Sequence, residues 1–257
     1  MLVYRYLLMH LKSQLEYRSS FILSFIAQII PITLSASMVF VLMNKFNFSN
    51  KYDTYEVMLG IAIVQFGFSF AECFFRGFDK FSNIIKKGML DLMLIKPRNI
   101  YIQVFGSEIA FPKISRIIGS IVLFIISINK INIVLNIWKV LLLIGLLFFS
   151  TLIYISLYIL ASSLCFKTTE ALEVTNIFTD GSREFGQYPM DIFKKEVLII
   201  FTFLIPIACV NYYPLRYILG YSKSILYLIS PLFTIVLFVI AILTFNKCLS
   251  HYASTGS

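Results

Sequence analysis

Residues 76–98 read RGFDKFSNIIKKGMLDLMLIKPR, a basic segment between two long apolar runs that cannot sit in water. The segment carries six cationic side chains: Arg76, Lys80, Lys86, Lys87, Lys96 and Arg98. Lys and Arg concentrate in the loops that a membrane protein keeps in the cytoplasm. We therefore expect this segment, called the basic island below, to be cytoplasmic and to set the orientation of the spans on either side.

Two short amphipathic helices are predicted within the basic island. The first has apolar residues at helical spacing: Phe78, Phe81, Ile84 and Ile85. Gly88 is a stop signal for this helix, and a second piece, residues 89–95, runs into Pro97. Such helices suit a docking surface for a cytosolic partner or a solvated loop that lies on lipid, and the residues alone leave both readings open.

The composition is that of an integral membrane protein. The 257 residues are 59% hydrophobic and 14% charged, with a mean hydropathy of +0.85, which the surface of a water-soluble domain does not carry. The net charge of +9 comes from cations at the ends of apolar runs, so we expect no nucleic-acid binding. The four cysteines and two histidines are isolated, so we expect neither disulfides nor a metal site.

The order of apolar and polar runs predicts an all-α, polytopic membrane protein with a single transmembrane domain over residues 1–257. An amphipathic elbow helix is expected at residues 2–18. Six spans are expected at residues 21–43, 57–75, 104–128, 138–165, 197–213 and 225–245. Residues 76–98 and 166–196 are expected to be cytosolic loops, and the aromatic-rich stretch before the last span suits an outer re-entrant segment.

The distribution of cations gives the orientation of these spans. Sixteen of the 22 Lys and Arg residues fall on the expected cytoplasmic side, and six fall on the outer side. Because cytoplasmic loops carry the excess of Lys and Arg, this asymmetry places both termini in the cytoplasm. The expected location is the cell membrane, with lipid around the spans.

Three polar side chains lie within or beside the predicted spans: Gln65, Glu72 and Glu108. An ionisable group in a span is costly and is a functional candidate by default. Glu72 lies one helical turn before Arg76, and an i,i+4 ion pair would partly neutralise it. We therefore expect Glu72 to be structural, and an ion-coupled carrier that uses these three residues is the alternative.

The sequence lacks the common motifs of catalysis. No G-x-x-x-x-G-K-[ST] stretch occurs, so the chain cannot bind and hydrolyse ATP in the P-loop manner by itself. No H-E-x-x-H or G-x-S-x-G stretch occurs either, which disfavours intramembrane proteolysis and lipid hydrolysis. We expect a chain that is not an enzyme and that binds no cofactor itself.

Four stretches taken together resemble the ABC-2 type exporter permeases. They are GMLDLMLIKPRNIYIQ at 88–103, FTDGSREFGQYPMDIF at 178–193, IPIACVNYYPLRYILG at 205–220, and the ending YASTGS. The likeness covers nearly the whole chain. Within the family the chain looks most similar to the permeases that resemble daunorubicin-resistance exporters, which are often encoded as two different permeases with one ATPase.

The resemblance implies an elbow helix, six spans, a coupling helix between spans two and three, and a second cytosolic contact between spans four and five. It also implies a second permease and cytosolic ABC ATPase subunits, with ATP and Mg²⁺ bound on those subunits. Seven residues match the two ATPase-coupling motifs: Gly88, Asp91 and Pro97 in the first, and Arg183, Glu184, Gln187 and Pro189 in the second.

The leading hypothesis is a permease subunit of an ATP-driven exporter that moves an amphipathic substrate, such as a drug, lipid or peptide, by alternating access. We expect Phe81, Ile85 and Leu92 to be apolar anchors for the ATPase, because a buried anchor contributes more to affinity than exposed ion pairs do. The alternatives are an ion-coupled secondary carrier and a membrane scaffold or immunity protein that transports nothing.

Overall fold

A computed structural model describes residues 2–45, 52–131, 136–168 and 172–252. Within these ranges the chain is helical and has no strand, so the predicted all-α fold is confirmed. The helices are α1 (Leu2–Glu16), α2 (Arg18–Ala27), α3 (Ile30–Lys45), α4 (Thr54–Phe74), α5 (Arg76–Asp79), α6 (Phe81–Lys86), α7 (Met89–Ile95), α8 (Ile100–Phe105), α9 (Ile114–Lys130), α10 (Ile137–Leu164), α11 (Leu172–Gly186), α12 (Lys195–Phe203), α13 (Ala208–Asn211), α14 (Tyr213–Ile218), α15 (Leu226–Ile229) and α16 (Phe233–Ser250).

Five segments in the described ranges are long and apolar enough to cross a membrane. They are Arg18–Val41, Thr54–Phe74, Phe111–Lys130, Ile137–Cys165 and Leu226–Ser250. Even the shortest, with 20 residues, is about 30 Å long at 1.5 Å per residue, which matches the hydrocarbon thickness of a bilayer. The chain is therefore a multi-pass membrane protein.

The third membrane-length helix begins later than the predicted span at 104–128. α8 ends at Phe105, and the chain continues without helix as far as Ala110. Gly106 lies at this break against the N-terminal helix, where a β-carbon would be only 2.4 Å from the Tyr6 ring. The helical run that crosses the bundle starts at Phe111.

α4 is the central helix of the bundle. It packs against α3, α9, α10 and α11, and its residues from Met58 to Gln65 are all buried. A β-carbon at Gly67 would lie 2.2 Å from the Ser150 hydroxyl oxygen on α10. Glycine is needed at this position because it lets the two helix backbones approach closely enough for van der Waals packing.

The two ends of α4 are reference points that show on which side of the bundle a residue lies. The end that leads into the basic island is called the island end, and the end that begins after Tyr52 is called the Tyr52 end. α4 has 21 residues, which separates its ends by about 31 Å. Residues that contact opposite ends of α4 therefore lie on opposite sides of the bundle.

α11 passes through the bundle beside α4, in the antiparallel direction. The Arg183 guanidinium lies 4.7 Å from the centroid of the Phe68 ring, in the island half of α4. One turn later, a β-carbon at Gly186 would lie 3.1 Å from Val64. The helix therefore moves toward the Tyr52 end as its residue numbers rise.

The contacts of residues 172–196 differ from those expected of one cytosolic loop at residues 166–196. Asp191 accepts a hydrogen bond from the Tyr52 hydroxyl, so this part of the segment lies at the Tyr52 end. The apolar signal missed the crossing because α11 is polar along much of its length, with Thr, Asp, Ser, Arg and Glu side chains. Several of these groups find partners inside the protein, and the hydroxyl of Ser182, for example, donates to the Thr179 carbonyl at 2.9 Å.

The span predicted at residues 197–213 does not form one straight helix. α12 and the pair α13–α14 are bent against each other by 92°. The segment starts just after Asp191, and Arg216 on α14 returns to within 3.5 Å of the same carboxylate. Beyond it, the Tyr221 hydroxyl donates to Glu56 at 2.8 Å. The segment therefore enters and leaves at the Tyr52 end and is re-entrant, a class of element that was predicted only for the residues that follow.

Five segments of the described residues are long and apolar enough to cross a membrane, and α11 lies beside them between the two ends of α4. The described chain starts and finishes at the island end, since His10 contacts the Gly106 carbonyl at 2.9 Å and the Tyr252 ring lies 5.7 Å from Phe166, just after α10. Thirteen of the 22 cations lie at that end: Arg5, Lys12, Arg18, Arg76, Lys80, Lys86, Lys87, Lys96, Arg98, Lys113, Arg116, Lys167 and Lys247. Arg183, Lys194 and Lys195, which were expected on this side, are not among these thirteen. The island end therefore still holds the majority of the Lys and Arg residues.

Candidate coupling surface and ion-pair network

The basic island folds as three short helices, because the predicted first helix is interrupted at Lys80 and forms α5 and α6, while a left-handed glycine separates α6 from α7 as predicted. Gly88 has φ +64°, and its N–H donates to the Ile85 carbonyl at 2.9 Å, which ends α6. No atom lies within 4 Å of the place where a β-carbon would stand. The backbone angle alone therefore favours glycine at this hinge.

α6 turns its apolar face into the protein. Phe81 is 0% exposed and Ile85 is 5% exposed. The Phe81 ring packs 5.2 Å from Phe166 and 5.5 Å from Phe245, where α10 and α16 end. The expectation that Phe81 and Ile85 are anchors for a partner is therefore corrected: they are core residues that attach the basic island to two membrane helices.

α7 turns apolar side chains outward. Leu92 is 60% exposed and Ile95 is 80% exposed, with Met89 and Leu94 exposed beside them. These four residues are called the α7 surface below. Exposed cations and a proline border it: Lys86, Lys87, Lys96, Pro97 and Arg98. Of the predicted anchors, only Leu92 is available to a partner.

The opposite face of α7 is fixed to the rest of the chain. Leu90 and Met93 are buried, and the Gln103 side-chain amide donates to the Met93 carbonyl at 2.9 Å and to the Arg98 carbonyl at 3.0 Å. Asp91 lies beside the Tyr252 hydroxyl. The α7 surface is therefore presented on a supported helix rather than on a free loop.

Glu72 is the centre of an ion-pair cluster at the island end. Its Oε2 atom accepts from Arg116 at 2.7 Å, and its Oε1 atom contacts the Lys113 ammonium. The predicted i,i+4 partner, Arg76, is more distant at 3.9 Å. The structural role expected for Glu72 is present, but its main partners come from the start of the third membrane helix.

Glu108 joins the same cluster from the connection before α9. Its Oε1 atom lies 2.6 Å from the Lys80 ammonium and 3.3 Å from Arg76 Nε. The remaining intramembrane candidate, Gln65, is buried and donates to the Ser35 hydroxyl oxygen at 3.3 Å, which ties the second span to the first. All three predicted polar residues thus make contacts between elements of this chain.

Asp79, which the sequence reasoning did not single out, is the most perturbed carboxyl group of the basic island. Burial raises its pKa to about 6, and the carboxylates of Asp180 and Glu108 add to the increase. The cations of Arg76 and Lys80 oppose it. A signal was present in the sequence, because Asp79 is an acid within a stretch of cations and apolar residues that packs against the bundle.

The second predicted coupling motif does not form a surface at the island end. Arg183 pairs with Glu184 and lies 3.7 Å from Asp180, within α11. The Gln187 amide donates to Glu184 at 3.2 Å, and Pro189 lines a small cavity at the Tyr52 end. These contacts place the second motif away from the α7 surface.

A cluster around Asp191 was missed altogether. Its carboxylate accepts from Tyr52 and, at 2.8 Å, from Tyr212, with Arg216 at 3.5 Å. Burial, followed by the bond to Asp191, raises the pKa of Tyr52. The tyrosines and the aspartate belong to stretches that the sequence reasoning had assigned to opposite sides of the membrane.

Comparison with known proteins identifies the family. The profile described as ABC-2 family transporter protein matches residues 24–256, a range that contains α3 to α16 and the last turn of α2. No curated protein and no solved structure gives a significant match. The chain therefore belongs to the ABC-2 family of transporter membrane proteins, and it is the permease component of an ABC transporter.

Proposed function

We propose that this permease is an exporter subunit and that a cytosolic ABC ATPase binds its α7 surface. The observation that carries the proposal is the exposed apolar face of α7, with Leu92 and Ile95 at its centre and cations around it. An apolar patch with a polar rim on a supported helix is typical of a protein interface. ATP and Mg²⁺ would be bound by the ATPase subunits, and this chain would receive the mechanical step.

The basic island has a direct route into the membrane helices. Phe81, on the helix that precedes α7, contacts Phe245 on α16 and Phe166 at the end of α10. A displacement of α7 would act on both helices through this packed aromatic cluster. Such a connection supports alternating access, in which ATPase closure changes the arrangement of the spans.

A second permease, identical or homologous, is part of the proposal. The side chains of Asp180 and Glu184 on α11 are 50% and 56% exposed, although α11 crosses the bundle. Carboxylates at membrane depth face a protein interior or a water-filled cavity rather than lipid. We therefore place the partner permease, and the path of an amphipathic substrate, against this face of α11.

The contacts of the acidic residues support this function over an ion-coupled carrier. Glu72 lies against Arg116 and Lys113, and Glu108 lies against Lys80 and Arg76. A carboxylate held between several cations is fixed in place as their structural partner, which is a poor property for a proton carrier. The geometry favours a structural role for both.

Co-purification with the ABC ATPase encoded beside this permease tests the proposal. We expect Leu92→Asp and Ile95→Asp to abolish recovery of the ATPase while the thermal unfolding temperature of the permease stays unchanged, because both side chains are exposed. Lys86→Ala is the control for charge and should retain the ATPase, since an exposed ion pair contributes about 1 kcal/mol or less.

Ile85→Asp is the control for folding. Because Ile85 is buried, this change should lower the unfolding temperature as well as ATPase recovery. Recovery of the ATPase at the wild-type yield by the Leu92→Asp protein would contradict the proposal, and the basic island would then be a lipid-surface segment.

A further inference from the structure

A cavity of about 430 Å³ lies between the elbow helices and the ion-pair cluster of the island end. Its size is within the range of small-molecule sites, about 300–1,000 Å³. Four hydroxyl side chains line the wall formed by α1 and α2: Ser13, Tyr17, Ser20 and Ser24. They follow at intervals of four, three and four residues, which places them on one helical face. Arg76 and Glu108 form part of the opposite wall.

Hydrogen bonds to the chain fix the wall that carries the hydroxyl groups. The Gln14 side-chain amide donates to the Ile109 carbonyl at 2.5 Å, and its oxygen accepts from the Phe111 N–H at 3.1 Å. His10 Nε2 lies 2.9 Å from the Gly106 carbonyl. These hydrogen bonds attach α1 to the connection between α8 and α9. The cavity is therefore bounded by fixed elements of the fold.

Arg76 offers the cavity a cation that can bind an anion. Arg76 Nε is buried and makes no hydrogen bond within the described residues, although Glu108 Oε1 lies 3.3 Å away. The Lys80 ammonium lies 2.6 Å from the same Glu108 oxygen. The adjoining cluster contains four cations, Arg76, Lys80, Lys113 and Arg116, and three acids, Glu72, Asp79 and Glu108. An anion with several acceptor oxygens would satisfy the guanidinium and the serine hydroxyls together.

The position of the cavity favours a lipid as the source of that anion. It lies at the junction of the elbow with the first membrane-length segment, which begins at Arg18. Beyond the cavity, α2 exposes Ile22, Leu23 and Ile26, an apolar strip along which acyl chains can lie. Basic pockets between membrane helices at this level are suited to anionic headgroups.

We infer that this cavity binds the phosphate group of an anionic glycerophospholipid, with its acyl chains along α2. The bound lipid would join the elbow to the ion-pair cluster beside the basic island. This site does not depend on the identity of the ATPase or the exported substrate. It is separate from the α7 surface and from the exposed face of α11.

Native mass spectrometry of the purified permease in detergent tests the inference. Phosphatidylglycerol and phosphatidylcholine are titrated in parallel, and we expect phosphatidylglycerol adducts to be retained roughly fivefold better, as about 1 kcal/mol for one cation implies. The double variant Ser13→Leu, Ser20→Leu fills the cavity and should lose this preference. Ser19→Leu is the matched control, because Ser19 is exposed on the same helix but does not line the cavity.

Arg76→Gln provides a second variant with the cavity volume nearly preserved, and it should weaken phosphatidylglycerol retention. Equal retention of the two lipids would overturn the inference, as would an unchanged preference in the Ser13, Ser20 double variant. Displacement of the lipid by inorganic phosphate at matched concentration would also overturn it, because the site would then bind a soluble anion rather than a lipid headgroup.

Discussion

The Tyr52 hydroxyl donates a hydrogen bond to the Asp191 carboxylate, although the two residues are 139 positions apart in the chain. Tyr52 precedes the second span, and Asp191 follows α11. Because the basic island starts at the opposite end of α4, the bond places Asp191 and the basic island on opposite sides of the bundle. α11 must therefore cross between them, and the re-entrant segment that follows belongs to the Tyr52 end.

Cysteine labelling in intact cells tests this topology. We expect Lys194→Cys to react with a membrane-impermeant maleimide and Lys87→Cys to remain unlabelled, because the cation-rich island end belongs in the cytoplasm. Both positions are exposed, which makes them a matched pair. Of the native cysteines, Cys73, Cys165 and Cys209 are buried and Cys248 is half-buried, so Cys248→Ser is the suitable background.

Labelling of Lys87→Cys from outside would invert the orientation. Protection of both positions in intact cells, followed by labelling of both after permeabilisation, would instead restore residues 166–196 to one cytosolic loop. The two outcomes are distinct, since the first reverses the whole bundle and the second removes α11 as a crossing.

Apolar runs predicted the position of most membrane helices because lipid imposes a length and a composition on a span. The same reasoning gave no crossing for α11, whose polar side chains pair mainly within the helix, as Arg183 does with Asp180 and Glu184, while Phe68 of α4 lies beneath the Arg183 guanidinium. For the stretch at 197–213, in contrast, the apolar composition predicted a crossing. The stretch is apolar, but Pro206 lies in its turn and the segment bends back.

In the candidate site, too, the sequence predicted some features and missed others. Helical spacing and Gly88 predicted two short helices in the basic island; the second forms as α7, and the first is divided at Lys80 into α5 and α6. Spacing cannot tell which apolar residues meet the bundle, because that depends on Phe245 in the last helix, far along the chain. The sequence therefore predicted Phe81 and Ile85 as apolar anchors for a partner, whereas the exposed apolar residues are those of α7.

Removal of the Tyr52 hydroxyl should loosen the re-entrant segment. Asp191 would keep Tyr212 and Arg216 as partners, so we expect Tyr52→Phe to destabilise the protein by about 1.5 kcal/mol, the contribution of one hydrogen bond to a charged group. Thermal unfolding in detergent measures the change. Tyr4→Phe, at an exposed position of α1, is the control, and an equal effect of the two substitutions would refute a specific role for the Asp191 cluster.

Glu72→Gln should be strongly destabilising. The substitution leaves Arg116 and Lys113, whose side chains are 11% exposed, without their carboxylate, and loss of one partner of a largely buried ion pair costs about 3 kcal/mol. Adding Lys113→Met should restore part of the loss, because one uncompensated charge is removed. The free energy of unfolding of the two variants measures this coupling, and a double variant less stable than Glu72→Gln would contradict it.

Transport assays distinguish this structural role from proton coupling. In the Glu72→Gln protein that does fold, we expect the rate to fall without a change in its pH dependence. A rate that loses its pH dependence in this variant would favour the ion-coupled carrier, because Glu72 would then be a titrating group of the transport cycle.

Asp79 gives the protein a stability that depends on pH. Burial raises the pKa of its carboxyl group to about 6, so between about pH 4 and pH 6 the folded protein retains a proton that the unfolded chain has lost. The contribution of Asp79 to stability therefore falls as the pH rises through this window. Asp79→Asn replaces the carboxyl group by an uncharged amide of similar shape. It therefore removes the pH dependence that Asp79 gives to stability. The groups that act on Asp79 include Arg76, Lys80, Glu108 and Asp180, and Tyr158 on α10 also faces it.

We expect the Asp79→Asn protein to gain stability relative to the wild type as the pH is raised from 4 to 7, by up to about 2 kcal/mol. The measurement is the difference in free energy of unfolding between the two proteins at each pH, so that groups common to both cancel. Glu196→Gln, at an exposed position, should give a difference that varies little with pH. A difference for Asp79→Asn that is constant from pH 4 to pH 7 would show that folding does not raise the pKa of this carboxyl group, because only a proton bound differently by the folded and unfolded states produces a slope.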